Sequence, residues 1–126
     1  MWAMKRKTIR NHEDFLTKRD DLFTRSQYFF VKAKTAKYAD SPRYGLVVPK
    51  RIFKHAVDRN RAKRLLREWL SHYENRMMND FDYIFIALPD ILGATRDSGY
   101  RAMRRAMMHI RRNNKFRKIN ARRKKV

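Results

Sequence analysis

A two-layer α+β sandwich is the fold class that the sequence predicts, and three observations predict it. Apolar runs of strand length alternate with segments whose apolar residues recur every three to four positions. The segments follow the order helix, strands, helix, strand, helix, which sets helices against a sheet rather than against one another. At 126 residues, with 3 Gly and 3 Pro, the chain has one domain's length and little composition for a hinge.

Asn11 to Phe23 is predicted to form the first helix, with Asn11 as cap, Asp14 three residues on, and Phe15 and Leu16 as its apolar side. Gln27 to Ala36 (QYFFVKAKTA) and Tyr44 to Val48 (YGLVV) are rich in branched and aromatic residues, with the turn formers Asp40, Ser41 and Pro42 between them. They read as an antiparallel hairpin. Asp58 opens the most regular helix, in which Ala62, Leu65, Leu66, Trp69, Leu70 and Tyr73 form one apolar stripe. Asp82 to Leu88 (DYIFIAL) is an almost unbroken apolar run, as in a strand buried on both faces, and Pro89 stops it. A last helix begins near Ser98 and aligns Tyr100, Met103, Met107 and Ile110. Residues 1–112 should thus be one domain with a basic N-terminal arm. Asn113 to Val126, basic and without an acid, should be a disordered tail.

Lys and Arg number 33 against 12 Asp and Glu, a formal charge of +21 that a polyanion would neutralise, so a nucleic acid is the natural partner. With no Cys there is neither a disulfide framework nor a thiolate metal site. Residues 1–10 hold four basic residues and no signal-like apolar stretch, and no window resembles a membrane span. A soluble, cytoplasmic protein without a membrane partner is expected.

On a helical wheel the apolar side chains of the Asp58 helix cover roughly 140°, while Asn60, Arg61, Lys63, Arg64 and Arg67 occupy the opposite side. A charge run is ordinarily just a solvated face. Here, however, only Glu68 can compensate a neighbour, Arg64, whereas Arg59, Lys63 and Arg67 repel one another at intervals of four. If the helix opens at Asp58, Arg59 and Arg61 also sit in its first turn, where the helix dipole disfavours cations. A phosphate would relieve both conflicts, because backbone N–H groups and guanidinium forks would donate to it.

The segment Arg59-Asn60-Arg61-Ala62-Lys63-Arg64-Leu65-Leu66-Arg67-Glu68 resembles the RNR signature of the bacterial ribonuclease P protein component. Tyr44 to Arg51 resembles the family's strand and basic turn, His55-Ala56-Val57 its approach to the helix, and Asn11 to Phe15 its first helix. The likeness extends over roughly residues 5–112. It implies a small mixed sheet of about four strands with a left-handed βαβ crossover, as in ribosomal protein S5 domain 2, although general rules favour the right-handed form. It also implies a protein subunit of a holoenzyme in which a catalytic RNA performs endonucleolytic removal of the 5′ leader from precursor tRNA. That RNA and the precursor would be its partners, with no obligate protein partner. Mg²⁺ would be held mainly by RNA, and no organic cofactor is implied.

On this resemblance Arg59, Asn60, Arg61, Lys63, Arg64 and Arg67 are assigned to the RNA subunit, with Lys50 and Arg51 as further RNA contacts. Phe15, Phe30 and Lys32 are assigned to the leader, the rings for stacking and the lysine for the backbone, although both Phe residues also suit a core. Where the family commonly has further aromatics this chain has Arg19, Lys32 or Ala33, which predicts a weaker, more electrostatic grip. No catalytic or metal-binding residue is expected on the protein: the acids are scattered, and His12, His55, His72 and His109 lack ligand spacing. The rival readings are a ribosomal or other structural RNA-binding protein, and a DNA-binding regulator, for which no partner helix and turn is recognisable.

Overall fold

The computed structural model describes the backbone of residues 5–124 and the side chains of residues 5–115. Residues 1–4 of the expected arm and 125–126 of the expected tail lie outside the described residues. The strands are β1 (Lys7–Thr8), β2 (Leu22–Arg25), β3 (Phe29–Thr35), β4 (Arg43–Val47) and β5 (Phe81–Ala87), joined in one sheet of order β1-β4-β5-β3-β2. The long helices are α1 (Ala56–His72) and α2 (Arg96–Lys124), with 3-10 turns at His12–Phe15, Glu74–Arg76 and Pro89–Gly93. The α+β class is as predicted, with five strands instead of about four.

The sheet is organised around β5, whose residues are all buried except the half-buried Ile86. An apolar strand of this kind needs neighbours on both sides, and β5 lies between antiparallel β3 and parallel β4. The predicted hairpin is therefore split: β3 and β4 never pair, because the connection through residues 36–42 passes the end of β5. The first helix is also corrected. Asn11 does cap, accepting from the Glu13 amide, but only one 3-10 turn follows. Beyond it Asp21 accepts from the Lys18 amide at 2.8 Å, and Leu22–Arg25 alternate between half-buried and exposed positions as an edge strand.

One face of the sheet carries Phe29, Val31, Ala33, Tyr83 and Phe85, all buried beneath the helices. From α1 come Ala62, Leu66, Trp69 and Leu70, and from α2 come Met103, Ala106, Met107 and Ile110. Trp69 ties the layers together, with its ring 5.9 Å from Tyr28 and 6.4 Å from Phe29. Gly99, in the first turn of α2, lies so close to the indole that an added Cβ would fall 2.1 Å from it. The last helix continues through the basic segment to Lys124, into the region that composition assigned to a disordered tail. Its Arg, Lys and Ala residues are good helix formers, no Gly or Pro interrupts them, and Asn114 is buried against the Met78 sulfur.

Arg43 latches the sheet to the N-terminal turn. Its amide donates to Asp82 at 2.7 Å, and its guanidinium donates to Asp82 at 2.9 Å and to Asp14 at 3.0 Å. Burial opposes the charge of Arg43, but the two carboxylates outweigh it and raise its pKa. Asp14, held chiefly by its bond from Arg43 and further by Lys37, titrates below the ordinary carboxylate range. Arg6 crosses the same end of the sheet, donating to the carbonyls of Phe81 and Met78, so the N-terminal arm is pinned from its first described residues.

Leu66→Ala should cost about 2–5 kcal/mol of stability through a core cavity, measured by denaturant unfolding. Gly99→Ala should also destabilise, by about 1–3 kcal/mol through overpacking on Trp69, although helix propensity alone predicts a gain of about 1 kcal/mol. Because Asp14 has a lowered pKa, its contribution is complete above the ordinary value of 3.8 and is lost as pH falls through the folded value. An acid titration of folding should show this, and Asp14→Asn should flatten the dependence below about pH 4.

Candidate nucleic-acid interface

Two surfaces place the residues singled out in the sequence. The first is the outer side of α1. With Ala62, Leu66, Trp69 and Leu70 turned into the core, helical geometry directs Asn60, Arg61, Arg64 and Arg67 outward, and all four are exposed while Lys63 is half-buried. The turn before the helix adds exposed Lys50 and Arg51, anchored by buried Phe53, whose amide donates to the Pro49 carbonyl at 3.0 Å. The ion pairs of Lys34, Lys37 and Arg43 all lie on the sheet and its connections, away from this face.

Arg59 departs from the expectation. Its guanidinium turns back along the helix and donates to the carbonyls of Phe53 at 2.8 Å and Lys54 at 3.0 Å, stapling the basic turn to α1. The wheel contains this signal, since Arg59 falls at the angle of Leu66 and Leu70 rather than among the other cations. The helix also begins at Ala56, which puts Asp58 in its first turn and moves Arg59 and Arg61 beyond it. The dipole conflict inferred from the sequence is therefore absent, and only the repulsion among neighbouring cations stands. No side chain caps the start of α1 at His55.

The second surface is the sheet face opposite the helices. Register places Phe23, Phe30, Lys32, Ile84, Ile86, Gly45 and Val47 on it. Phe15 lies over Gly45, where an added Cβ would come within 2.5 Å of its ring. Gly45 thus provides space, and Phe15 borders one side of an open strip of the sheet face, a trough that register sets over Val47 and Ile86. Phe30 and Phe23, with centroids 5.5 Å apart, line the other side. Phe15 and Phe30 are half-buried and Phe23 is 40% exposed, so their rings are within reach of a ligand.

Lys32 does not stand in this trough as a free cation. It is 5% exposed, and its ammonium donates to the Phe15 carbonyl and to Thr17 Oγ1 at 3.1 Å. Burial, with neighbouring Lys34, lowers its pKa. Lys34 likewise donates to the Leu16 carbonyl and pairs with Asp21 at 2.9 Å. The two lysines hold the segment that carries Phe15. Phe23, which sequence reasoning placed in a helix, joins Phe30 because β2 is a strand; the alternation in Leu22-Phe23-Thr24-Arg25 was the available signal. The trough is consequently more aromatic and less cationic than the sequence suggested.

Among the described residues no three His, Cys, Asp or Glu side chains come together as a metal site, and no helix is long and apolar enough to cross a membrane. Comparison with solved structures places the fold near the RNase P protein of Staphylococcus aureus, with a TM-score of 0.65 and 21% identity over 82% of this chain and 94% of that one. The RNase P protein of Thermotoga maritima gives a TM-score of 0.64 and 22% identity over 85% and 97%. Among curated sequences, the ribonuclease P protein component of Vibrio campbellii is 42% identical over 62 residues, 49% of this chain and 51% of the relative. That of Synechocystis is 35% identical over 57 residues, 45% and 46% of the two chains. The chain thus spans about half the length of the curated relatives it matches. A family model, Ribonuclease P, matches residues 4–111, and the chain belongs to the ribonuclease P protein family.

Proposed function

We propose that this chain is the protein subunit of ribonuclease P, binding a catalytic RNA through α1 and the 5′ leader of precursor tRNA through the open sheet face. The observation that carries this reading is the outward array of Asn60, Arg61, Lys63, Arg64 and Arg67, in which no cation is ion-paired among the described residues, on a helix anchored by its apolar side. Guanidinium forks match phosphate oxygens in pairs, and each phosphate neutralised releases counterions, so such a face gains most from a densely charged polymer. Lys50 and Arg51 extend it, and Arg59 contributes chiefly by fixing the turn that presents them.

For the leader, Phe15, Phe23 and Phe30 offer stacking surfaces worth about 1–3 kcal/mol per base. Lys32 positions Phe15 from beneath. The protein then supplies binding and charge, while the RNA carries the reaction and, with the substrate phosphates, holds the Mg²⁺ ions. Cleavage in the cytoplasm, with no obligate protein partner, completes the reading.

The test is reconstitution with a cognate ribonuclease P RNA at low Mg²⁺. Addition of the chain should restore leader removal, whereas RNA binding without any rescue would favour a purely structural RNA-binding role and overturn the proposal. In the same system Arg61→Ala or Arg64→Ala should each weaken affinity and reduce the slope of log affinity against log salt by about one, with an unchanged melting temperature.

A further inference from the structure

We propose that a groove between the β2–β3 turn and α2 is a second RNA-backbone site, which takes the continuation of a single strand lying on Phe23 and Phe30. The inference rests on the RNA-binding reading given above but concerns a surface that the reading does not use. The groove has a volume of about 460 Å³, with Arg25, Ser26 and Gln27 on one wall and Arg101, Arg105 and His109 on the other. Ala102 and Ala106 lie between the α2 cations, and their small side chains leave the groove its depth.

Three features point to phosphodiesters. Asp97, four residues before Arg101, is the last acidic residue of the sequence, so Arg105 and the later arginines of α2 have no acid within reach on their own helix. Arg101, Arg105 and His109 recur every four residues, which sets three exposed side chains in one line with steps of about 6 Å. Arg101 and Arg105 repel each other unless an extended polyanion lies along them, and His109 continues the line with a ring that can hydrogen-bond to it. The opposite wall is firm: Ser26 Oγ accepts from the amides of Tyr28 and Phe29 and donates to the Phe29 carbonyl at 3.1 Å, which fixes the turn.

Continuity selects a single strand. Arg25 is the register partner of Phe30 and also lines the groove, so the groove begins where the aromatic face ends. A strand whose bases stack on Phe23 and Phe30 would pass Arg25 at the edge of β2 and enter the row of α2 cations. Bases would be read on the sheet by their faces and the backbone in the groove by its charge.

Anisotropy titrations with labelled oligouridine test this on the whole chain, without reference to cleavage. A short oligomer, sufficient only for the aromatic face, should bind wild type and R101Q/R105Q alike. A longer oligomer should bind wild type more tightly, and R101Q/R105Q should lose that gain together with about 0.7 of salt slope for each arginine removed. R101K/R105K should keep most of it, and circular dichroism should show the same helix content in all three proteins. An equal length gain in wild type and R101Q/R105Q would overturn the proposal, as would displacement of the longer oligomer from the groove by polyglutamate at equal charge. Failure of the reconstitution assay with this length effect intact would remove the ribonuclease P assignment and leave the groove standing.

Discussion

The structure depends on an unequal distribution of charge: the ion-paired carboxylates of Asp14, Asp21 and Asp82 lie on the sheet and its connections, whereas the two long helices carry many cations and only Asp58, Glu68 and Asp97 as acids. Asp14 and Asp82 hold Arg43, Asp21 holds Lys34, Glu74 accepts from the Lys5 amide, and Glu68 accepts from the Tyr100 hydroxyl. With 12 acids against 33 Lys and Arg, this leaves little to neutralise α1 or α2. Folding therefore stores electrostatic repulsion on the helix layer, which the buried interior around Trp69 and Phe85 must outweigh. Binding a polyanion removes that repulsion, so stability and affinity are linked through the same side chains.

The two faces of the sheet divide the work. One is covered by helices and supplies the anchorage that keeps the outer side of α1 in place. The other is roofed only at one end, where Lys32, Lys34 and Arg43 hold the segment from Asp14 to Thr17. Three cations are thereby used to build the wall of the trough rather than to contact RNA, and aromatic rings line its exposed side. A strand bound there would be gripped by stacking more than by charge, whereas α1 would bind chiefly through charge. The two contacts should respond differently to salt.

Much of this was legible in the sequence because periodic patterns are local. The stripe from Ala62 to Tyr73 fixed the orientation of α1, and the run Asp82 to Leu88 identified the central strand. Pairing was less legible, because the register between β3, β4 and β5 depends on which apolar strand most needs two neighbours, a property of the whole sheet. The cap at Asn11 is legible, but its expected partner Asp14 binds Arg43 and Lys37 instead, and a cap does not state how far a helix runs, so β2 and Phe23 are not legible from it. Arg59 and Lys32 were counted as free cations from their type alone. Their inward turn is set by carbonyls from other segments, Phe53, Lys54 and Phe15, which no single window contains. Charge composition likewise suggested disorder beyond Arg112, whereas helix propensity without Gly or Pro carried α2 to Lys124.

The outward arginines of α1 can be observed directly as RNA is added, by following the guanidinium Nε–H resonances of a labelled protein by NMR. Saturable shifts or protection at Arg61, Arg64 and Arg67, with the indole N–H of Trp69 unmoved, are the predicted result. Unchanged signals at those three arginines while the RNA is demonstrably bound elsewhere would contradict the claim that this helix face is built for phosphates.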